Sequence, residues 1–417
     1  MARAMIAGWL VMLTACGLDA SREEELFEPQ WEACDTGDCS ALLLGIEFID
    51  TKCGVAVGGT TETGPAVILQ TFDGGATWDP VEVDASGRLY DVAFVDDALG
   101  YAVGFDVMLR TRDGGKTWST VTLPASAWLA SVDFATEEIG FAVGGAGSLP
   151  IAWTTADGGE SWTSAVDRLP EDLGSSLRHV SFLDQDHGFI LGQDGVLLET
   201  VDRGLTWVAR DSGSSAWLRS FCYSRNRYYV TTSTGLLTCW DRGGNWSEVA
   251  AIGQRKLNDV LFVGGDHHGS LGWVTTFDGE VLESSDDGET WETVLRHNGT
   301  ATWFSVRDGC RAFFVADGGR IYQRQIAYTN AAPVASTSLG HASRRLTIDG
   351  WTKSEVVDHF GSNFISRNMF LEKPLNTNTE VPGGADQQLT YRANMGQLDI
   401  YLDGDRVVLA VEGWSDY

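Results

Sequence analysis

The 417-residue sequence predicts a mainly β fold: a seven-bladed β-propeller with four-stranded blades and a small C-terminal α+β module. Three observations carry this. One eight-residue string recurs six times, at intervals of 39–45 residues. The text upstream of each copy has a strand–turn–strand pattern. The composition pairs 49 Gly with 16 Trp and only 9 Pro, as turn-rich β chains do. A period of about 40–45 residues with strand-like content is the length of four short strands, one blade.

Charge narrows the function classes. With 58 Asp and Glu against 29 Lys and Arg, the net charge is −29. Such a chain repels a polyanion, which argues against a nucleic-acid partner and against adhesion to anionic lipid through the protein surface. A hydrophobic fraction of 43% is ample for a core. No apolar run approaches the roughly 18 residues of a membrane-spanning helix.

The chain opens with Arg3, an apolar stretch from Ala4 to Ala15, and then Cys16. Residues 1–16 read as an export signal. Leu13-Thr14-Ala15-Cys16 resembles a bacterial lipobox, which implies lipidation of Cys16 and anchorage without a spanning helix. Gly17 rather than Asp follows the Cys, and the same resemblance then implies outer-membrane or cell-surface placement in the bacterial envelope. Residues 17–41 carry Asp19, Glu23, Glu24, Glu25, Glu28, Glu32, Asp35 and Asp38 against Arg22 alone, and read as a solvated acidic tether.

Six further cysteines remain: Cys34, Cys39, Cys53, Cys222, Cys239 and Cys310. An even number in an exported chain points to disulfides, with about 15 pairings open. Cys53 and Cys310 stand just before the second strands of the first and last blades, which a closed ring makes neighbours. A Cys53–Cys310 clasp is one expectation. No metal is expected, because no spacing suits zinc. His267-His268 reads as a solvated loop.

The recurrent string runs Thr71-Phe-Asp73-Gly-Gly75-Ala-Thr77-Trp78. It returns around Asp113 and Trp118, Asp157 and Trp162, Asp202 and Trp207, Asp241 and Trp246, and Asp286 and Trp291. An Asp at the turn start accepts backbone N–H groups, Gly supplies positive φ, and the Trp packs back as a plug. The string resembles the Asp-box (BNR) repeat. That resemblance implies a structural element on the turn between the third and fourth strands of each blade, opposite the ligand-binding loops. Repetition alone accounts for these aspartates, so none is read as a catalytic acid.

First strands start near Leu43, Leu89, Leu129, Leu177, Leu218, Leu257 and Ala301, giving seven blades over 42–329. The seventh lacks a box, as expected where a ring closes on its N-terminal part. The text of Val92, Phe94, Gly100, Tyr101, Val103, Gly104, Thr111, Asp113 and Trp118 resembles the photosystem II assembly/stability factors of cyanobacteria and plastids. Their photosynthetic members are associated with a basic patch, whereas this chain is acidic.

Residues 330–347 read as a linker and 348–417 as the small module. Thr352 and Glu355 form a capping box before Val356, Val357 and Phe360, stopped by Gly361. Three strands follow, around Gln388–Tyr391, Leu398–Leu402 and Val407–Val411. The pattern resembles the protein-binding module of SmpA/BamE-type envelope lipoproteins.

No nucleophile elbow, zinc-protease helix or phosphate loop is present. The sialidase resemblance of Asp-box propellers would require an arginine triad, a Tyr nucleophile with its Glu and an Asp acid, and no Arg-Ile-Pro string precedes the boxes. The ligand face is expected on the loops opposite the boxes. Its candidates are Trp128, Trp217, Arg178, Arg219 and His179; aromatic residues beside arginine form a common binding composition. The chain reads as a lipid-anchored, non-enzymatic scaffold for an envelope or secreted protein partner, without cofactor. The alternative is a carbohydrate-binding or glycoside-cleaving propeller, with a glycan as ligand.

Overall fold

A computed structural model describes residues 31–50, 52–224, 227–240, 246–266, 269–307, 311–325, 387–393, 396–403 and 406–413. It contains seven four-stranded antiparallel sheets, each a blade with strands A to D running outward. The A-strands are Leu42–Phe48, Leu89–Phe94, Trp128–Phe134, Leu177–Phe182, Leu218–Ser224, Leu257–Asp266 and Ala301–Arg307. Consecutive A-strands touch in a closed cycle around a central channel, with the seventh against the first.

Seven apolar clusters hold the ring, one at each blade interface. Between blades 2 and 3, for instance, Tyr101, Val103 and Met108 pack on Leu129, Phe134 and Trp153. A strand buried on both faces has no polar side, which is why B-strands such as Gly100–Gly104 are buried throughout.

The recurrent Gly-aromatic-Ala-Val-Gly text has a steric cause at both ends. A Cβ on Gly100 would stand 2.6 Å from the Phe94 ring, so the glycine lets that ring lie across the B-strand. The second glycine answers a bulge. Blade 3 shifts register between Leu129 and Ser131, as each A-strand does at this point. The bulge drives the Trp128 carbonyl to 1.8 Å from where a Gly144 Cβ would be.

Ring closure departs from the sequence reading. The fourth strand of blade 7 is Glu32–Ala33, paired antiparallel with Ile321–Gln325. Trp31 is buried against Trp273, Phe304 and Phe314 at the blade 6–7 interface. The Trp78 N–H donates to the Asp35 carbonyl at 2.9 Å, tying the segment onward to blade 1. The tether expected over 17–41 therefore loses 31–41 to the ring. An acidic composition hid one aromatic anchor.

The Cys53–Cys310 clasp is also corrected: Cys53 carries a free thiol. It packs against the apolar cluster between blades 1 and 2, not the one between blades 7 and 1. Burial and the nearby Asp50 raise its pKa. Cys34 and Cys39 are free thiols at the blade 7–1 interface.

The three C-terminal strands occur as Gln387–Ala393, Gly396–Asp403 and Arg406–Gly413, an antiparallel meander. The lipobox with Cys16, residues 17–30, Asp241, His267-His268, Cys310, the linker and the helix around Thr352 lie outside the described residues. No helix among the described residues is long and apolar enough to cross a membrane.

Candidate functional site

The boxes are closed hydrogen-bond units. In blade 2, the Thr117 N–H and hydroxyl donate to Asp113 at 2.8 and 2.7 Å, and the Thr111 hydroxyl donates at 2.9 Å. Trp118 Nε1–H donates to the Gly115 carbonyl at 2.9 Å. The same Asp-centred network recurs at Asp73, Asp157, Asp202 and Asp286. Burial opposes ionisation of Asp113, but the Thr117 and Thr111 bonds outweigh it and its pKa is lowered. At Asp157 the Ser161 bonds lead and lower it likewise. Trp78, Trp162 and Trp207 are buried plugs, while Trp118, Trp246 and Trp291 are partly buried. Trp162 and Trp207 leave Nε1 without a partner.

The boxes of blades 2, 3 and 6 also grip the preceding blade. Tyr101 donates to the Gly158 carbonyl at 2.7 Å, Gln70 to that of Gly114 at 2.7 Å, and Tyr229 to that of Asp287 at 2.8 Å. These boxes are interblade joints as well as hairpin plugs, a second role that the string alone does not reveal.

The opposite face is built on the bulged starts of the A-strands. One residue after each leading Leu or Ala come Tyr90, Ala130, Arg178 and Arg219 in blades 2 to 5. Arg178 lies over the Trp128 ring of blade 3 at 5.7 Å, and Trp128 meets Tyr90 of blade 2 edge-on at 5.8 Å. Arg219 lies over Phe277 at 4.2 Å and over Trp217 at 5.7 Å. Trp217 is 41% exposed. Neither arginine is ion-paired among the described residues, although the chain has twice as many acids as bases. Burial pushes Arg219 down to about 9, helped by repulsion from Arg178. Burial lowers Arg178 too, and Asp91 opposes this.

One position further, the residues turn into the channel. Here stand Asp91, Ser131, His179, Ser220, Asp259 and Trp303. His179 of blade 4 and Trp303 of blade 7 meet with ring centroids 5.2 Å apart. These blades lie on opposite sides of a seven-membered ring, so the indole crosses the channel. His179 is buried and neutral, pushed down to about 3 by burial and by Arg178.

The structure thus brings Trp128, Arg178, Arg219 and Trp217 to one mouth and places His179 beneath it, inside the channel. Sequence reasoning missed Tyr90, Phe277, Trp303 and the buried Asp91, Asp133 and Asp259. The available signal was an Asp inside an apolar strand, as in Tyr90-Asp91-Val92. Among the described residues, no cluster of His, Cys, Asp or Glu is arranged to hold a metal.

Seven blades, interblade boxes and an aromatic–arginine mouth define an Asp-box β-propeller. Its sequence places it further. The family described as photosynthesis system II assembly factor YCF48 matches residues 24–123, 78–172, 124–201 and 168–253, over half of the chain, and the protein belongs to that family. It is 38% identical over 144 residues to the chloroplast photosystem II stability/assembly factor HCF136 of Arabidopsis thaliana, covering 32% of this chain and 35% of that one. It is 43% identical over 56 residues to the photosystem II assembly lipoprotein Ycf48 of Synechocystis, covering 13% and 15% respectively. These matches span about a third or less of the relatives' lengths. A solved structure of YCF48 bound to D1 peptide covers 72% of this chain and 97% of its own, at 23% identity and a TM-score of 0.56, and shares the fold.

Proposed function

We propose that the propeller is a non-enzymatic scaffold that captures a protein partner at the mouth formed by Arg178, Arg219, Trp128 and Trp217. One observation carries this reading. Two guanidinium groups rest on aromatic faces, with no ion pair among the described residues, in a chain of net charge −29. A stacked guanidinium keeps its in-plane N–H fork for a carboxylate, and an exposed indole adds apolar area. The partner contact is therefore a polypeptide segment bearing a carboxylate. The family's solved complex with a peptide supports a polypeptide ligand.

The glycan-cleaving alternative has less support. Hydrolysis needs two available carboxyl groups flanking a sugar. The acids facing this channel are buried and engaged by backbone N–H groups, and Trp303 crosses the passage. We further propose that Cys16 is lipidated and holds the ring at the extracytoplasmic side of the envelope, on the outer membrane. A relative named as a lipoprotein supports the anchor.

The test is co-purification from detergent-solubilised envelope. Wild type should retain a protein partner that the double variant Arg178→Ala/Arg219→Ala loses, with unchanged circular dichroism. Equal capture by the double variant, or hydrolysis of an oligosaccharide by the wild type, overturns the reading.

A further inference from the structure

The N-terminal strand enters the ring at the box face. Trp31 precedes Glu32–Ala33 as Trp118 precedes Ser119–Thr120, and the two pairings share one register. Glu32 faces Gln323 and Ala33 faces Tyr322, just as Ser119 faces Arg110 and Thr120 faces Leu109. Trp31 packs on Phe304 of its own A-strand with ring centroids 6.1 Å apart, as Trp118 packs on Phe94 at 6.2 Å. It meets Trp273 of the preceding blade edge-on, as Trp162 meets Tyr101. Trp31 is therefore the plug of the boxless seventh blade, and the chain before it departs from the face of the boxes. Cys16 stands 15 residues earlier, a connection of at most about 50 Å.

The same face carries apolar side chains that break the repeat. The slot before the box Asp holds Phe72 in blade 1, Arg112 in blade 2, Ala156 in blade 3 and Val201 in blade 4. The slot before the second hydroxyl residue holds Ala76, Lys116, Glu160 and Leu205 in the same order. Phe72 is 49% exposed, and Val201 and Leu205 are exposed further still. The box bonds of blades 1 and 4 run through Thr, Asp and backbone groups and use none of these three side chains. Blades 1 and 4 stand on opposite sides of the ring, so the face has two separated apolar points. The turns between A- and B-strands lie beside the boxes: Gly114 N–H donates to the Ala98 carbonyl and Gly158 N–H to the Glu138 carbonyl, both at 2.9 Å. These turns add the exposed acids Asp96, Glu137 and Glu138.

We infer that the ring turns its box face to a lipid bilayer, with Phe72 at one side and Val201 and Leu205 at the other entering the interface, and with the mouth turned away. The inference rests on the lipidation of Cys16 proposed above. An anchored chain meets the surface intramolecularly, so two small apolar points suffice where a free protein would need a larger patch. Points on opposite sides of the ring hold it flat, where a single one would let it swing. The exposed acids select a zwitterionic surface, whose outermost group is an ammonium, and are repelled by anionic headgroups. The mouth then takes its polypeptide partner from the aqueous side.

Photolabelling of the lipidated protein tests this. It is placed in phosphatidylcholine vesicles containing phosphatidylcholine with a diazirine in the acyl chain, and labelled peptides are mapped by mass spectrometry. Peptides holding Phe72 and Val201–Leu205 should carry about fivefold more label than those holding Trp128 or Trp217, because only groups that enter the interface reach the acyl chains. Phe72→Ser/Leu205→Ser should lower the box-face label by about threefold or more. Mixing in phosphatidylglycerol should lower it too, and a rise overturns the choice of a zwitterionic surface. Equal or greater label at the mouth overturns the orientation and leaves the anchor standing; this wild-type comparison needs no variant to fold. Label unchanged in the double variant overturns the contact points. A dimer in detergent that Leu205→Ser splits assigns the blade 4 point to a second copy and overturns the lipid contact. An intact mass without lipid on Cys16 overturns the anchor and the inference together.

Discussion

The two faces of the ring use charge in opposite ways. On the box face, the carboxylates of Asp73, Asp113, Asp157, Asp202 and Asp286 are each engaged by hydroxyl and backbone donors of their own turn. On the mouth face, Arg178 and Arg219 rest on aromatic rings without an ion pair among the described residues. The box residues repeat from blade to blade, whereas the mouth residues do not: the slot of Arg178 holds Tyr90 in blade 2 and Ala130 in blade 3. In a repeat protein, what recurs is what every blade needs in order to fold. What breaks the repeat is free to recognise something.

The sharpest way to break this contrast is at a recurring glycine. Gly144→Ala would force a Cβ to 1.8 Å from the Trp128 carbonyl, a backbone atom that cannot rotate away. It should cost about 3 kcal/mol or more, read as a fall in the urea midpoint. Gly147→Ala is its control. That glycine has φ of +66° but nothing within 4 Å, so the change should cost only about 1–2 kcal/mol of backbone strain. Equal losses would mean that steric contact with the bulged strand does not set the motif.

Removing a box acid comes next. Asp113→Ala strips the acceptor from Thr111 and Thr117 and should cost about 1–2 kcal/mol. Arg178→Ala should cost less than Asp113→Ala and yet abolish partner capture. A box variant that loses capture while fully folded would erase the distinction between the faces.

Acidity separates the buried aspartates from the boxes. Burial raises Asp91 to about 6, and Asp133 and Asp259 to about 7. A carboxyl raised on folding contributes stability that is complete below its unfolded value near 3.8 and is lost as pH rises through the folded value. The lowered box aspartates act in the reverse sense, contributing above 3.8 and losing that contribution as pH falls. Stability should therefore peak near pH 4–5 and fall by on the order of 1 kcal/mol or more toward pH 8. Asp259→Asn should flatten the alkaline limb. A urea midpoint that rises from pH 5 to pH 8 would show that the buried aspartates do not titrate as their burial implies.

This pattern explains what the sequence made legible. Blade number and strand order followed from the period, because each repeat encodes a local hairpin with its own turn chemistry. Closure by Glu32–Ala33 did not, since a two-residue strand borrows its partner from a blade nearly 290 residues away. Its trace in the sequence was a single Trp31 among acids. At the mouth, Arg178, Arg219, Trp128 and Trp217 were legible because matching positions in neighbouring blades must converge. His179 was legible as a position but not as an environment, because its burial depends on Trp303 crossing from the opposite blade. Phe277 lies on a different strand connection from Arg219, and only the fold brings the pair together.

The smallest expected effect lies in the box of blade 4. There Val201, Leu205 and Val208 are 64%, 60% and 50% exposed, at places where blade 2 has Arg112, Lys116 and Ser119. The hydrogen-bond unit of this box runs through Thr200, Asp202, Gly204 and Thr206 and touches none of the three aliphatic side chains. If recurrence marks what folding needs, positions that change from polar to apolar between boxes lie outside that need. Leu205→Lys should then leave stability within about 0.5 kcal/mol of wild type, with an unchanged urea slope. A loss above about 1 kcal/mol would mean that the exposed box positions support the fold, and that variation between blades is no guide to which residues are free for recognition.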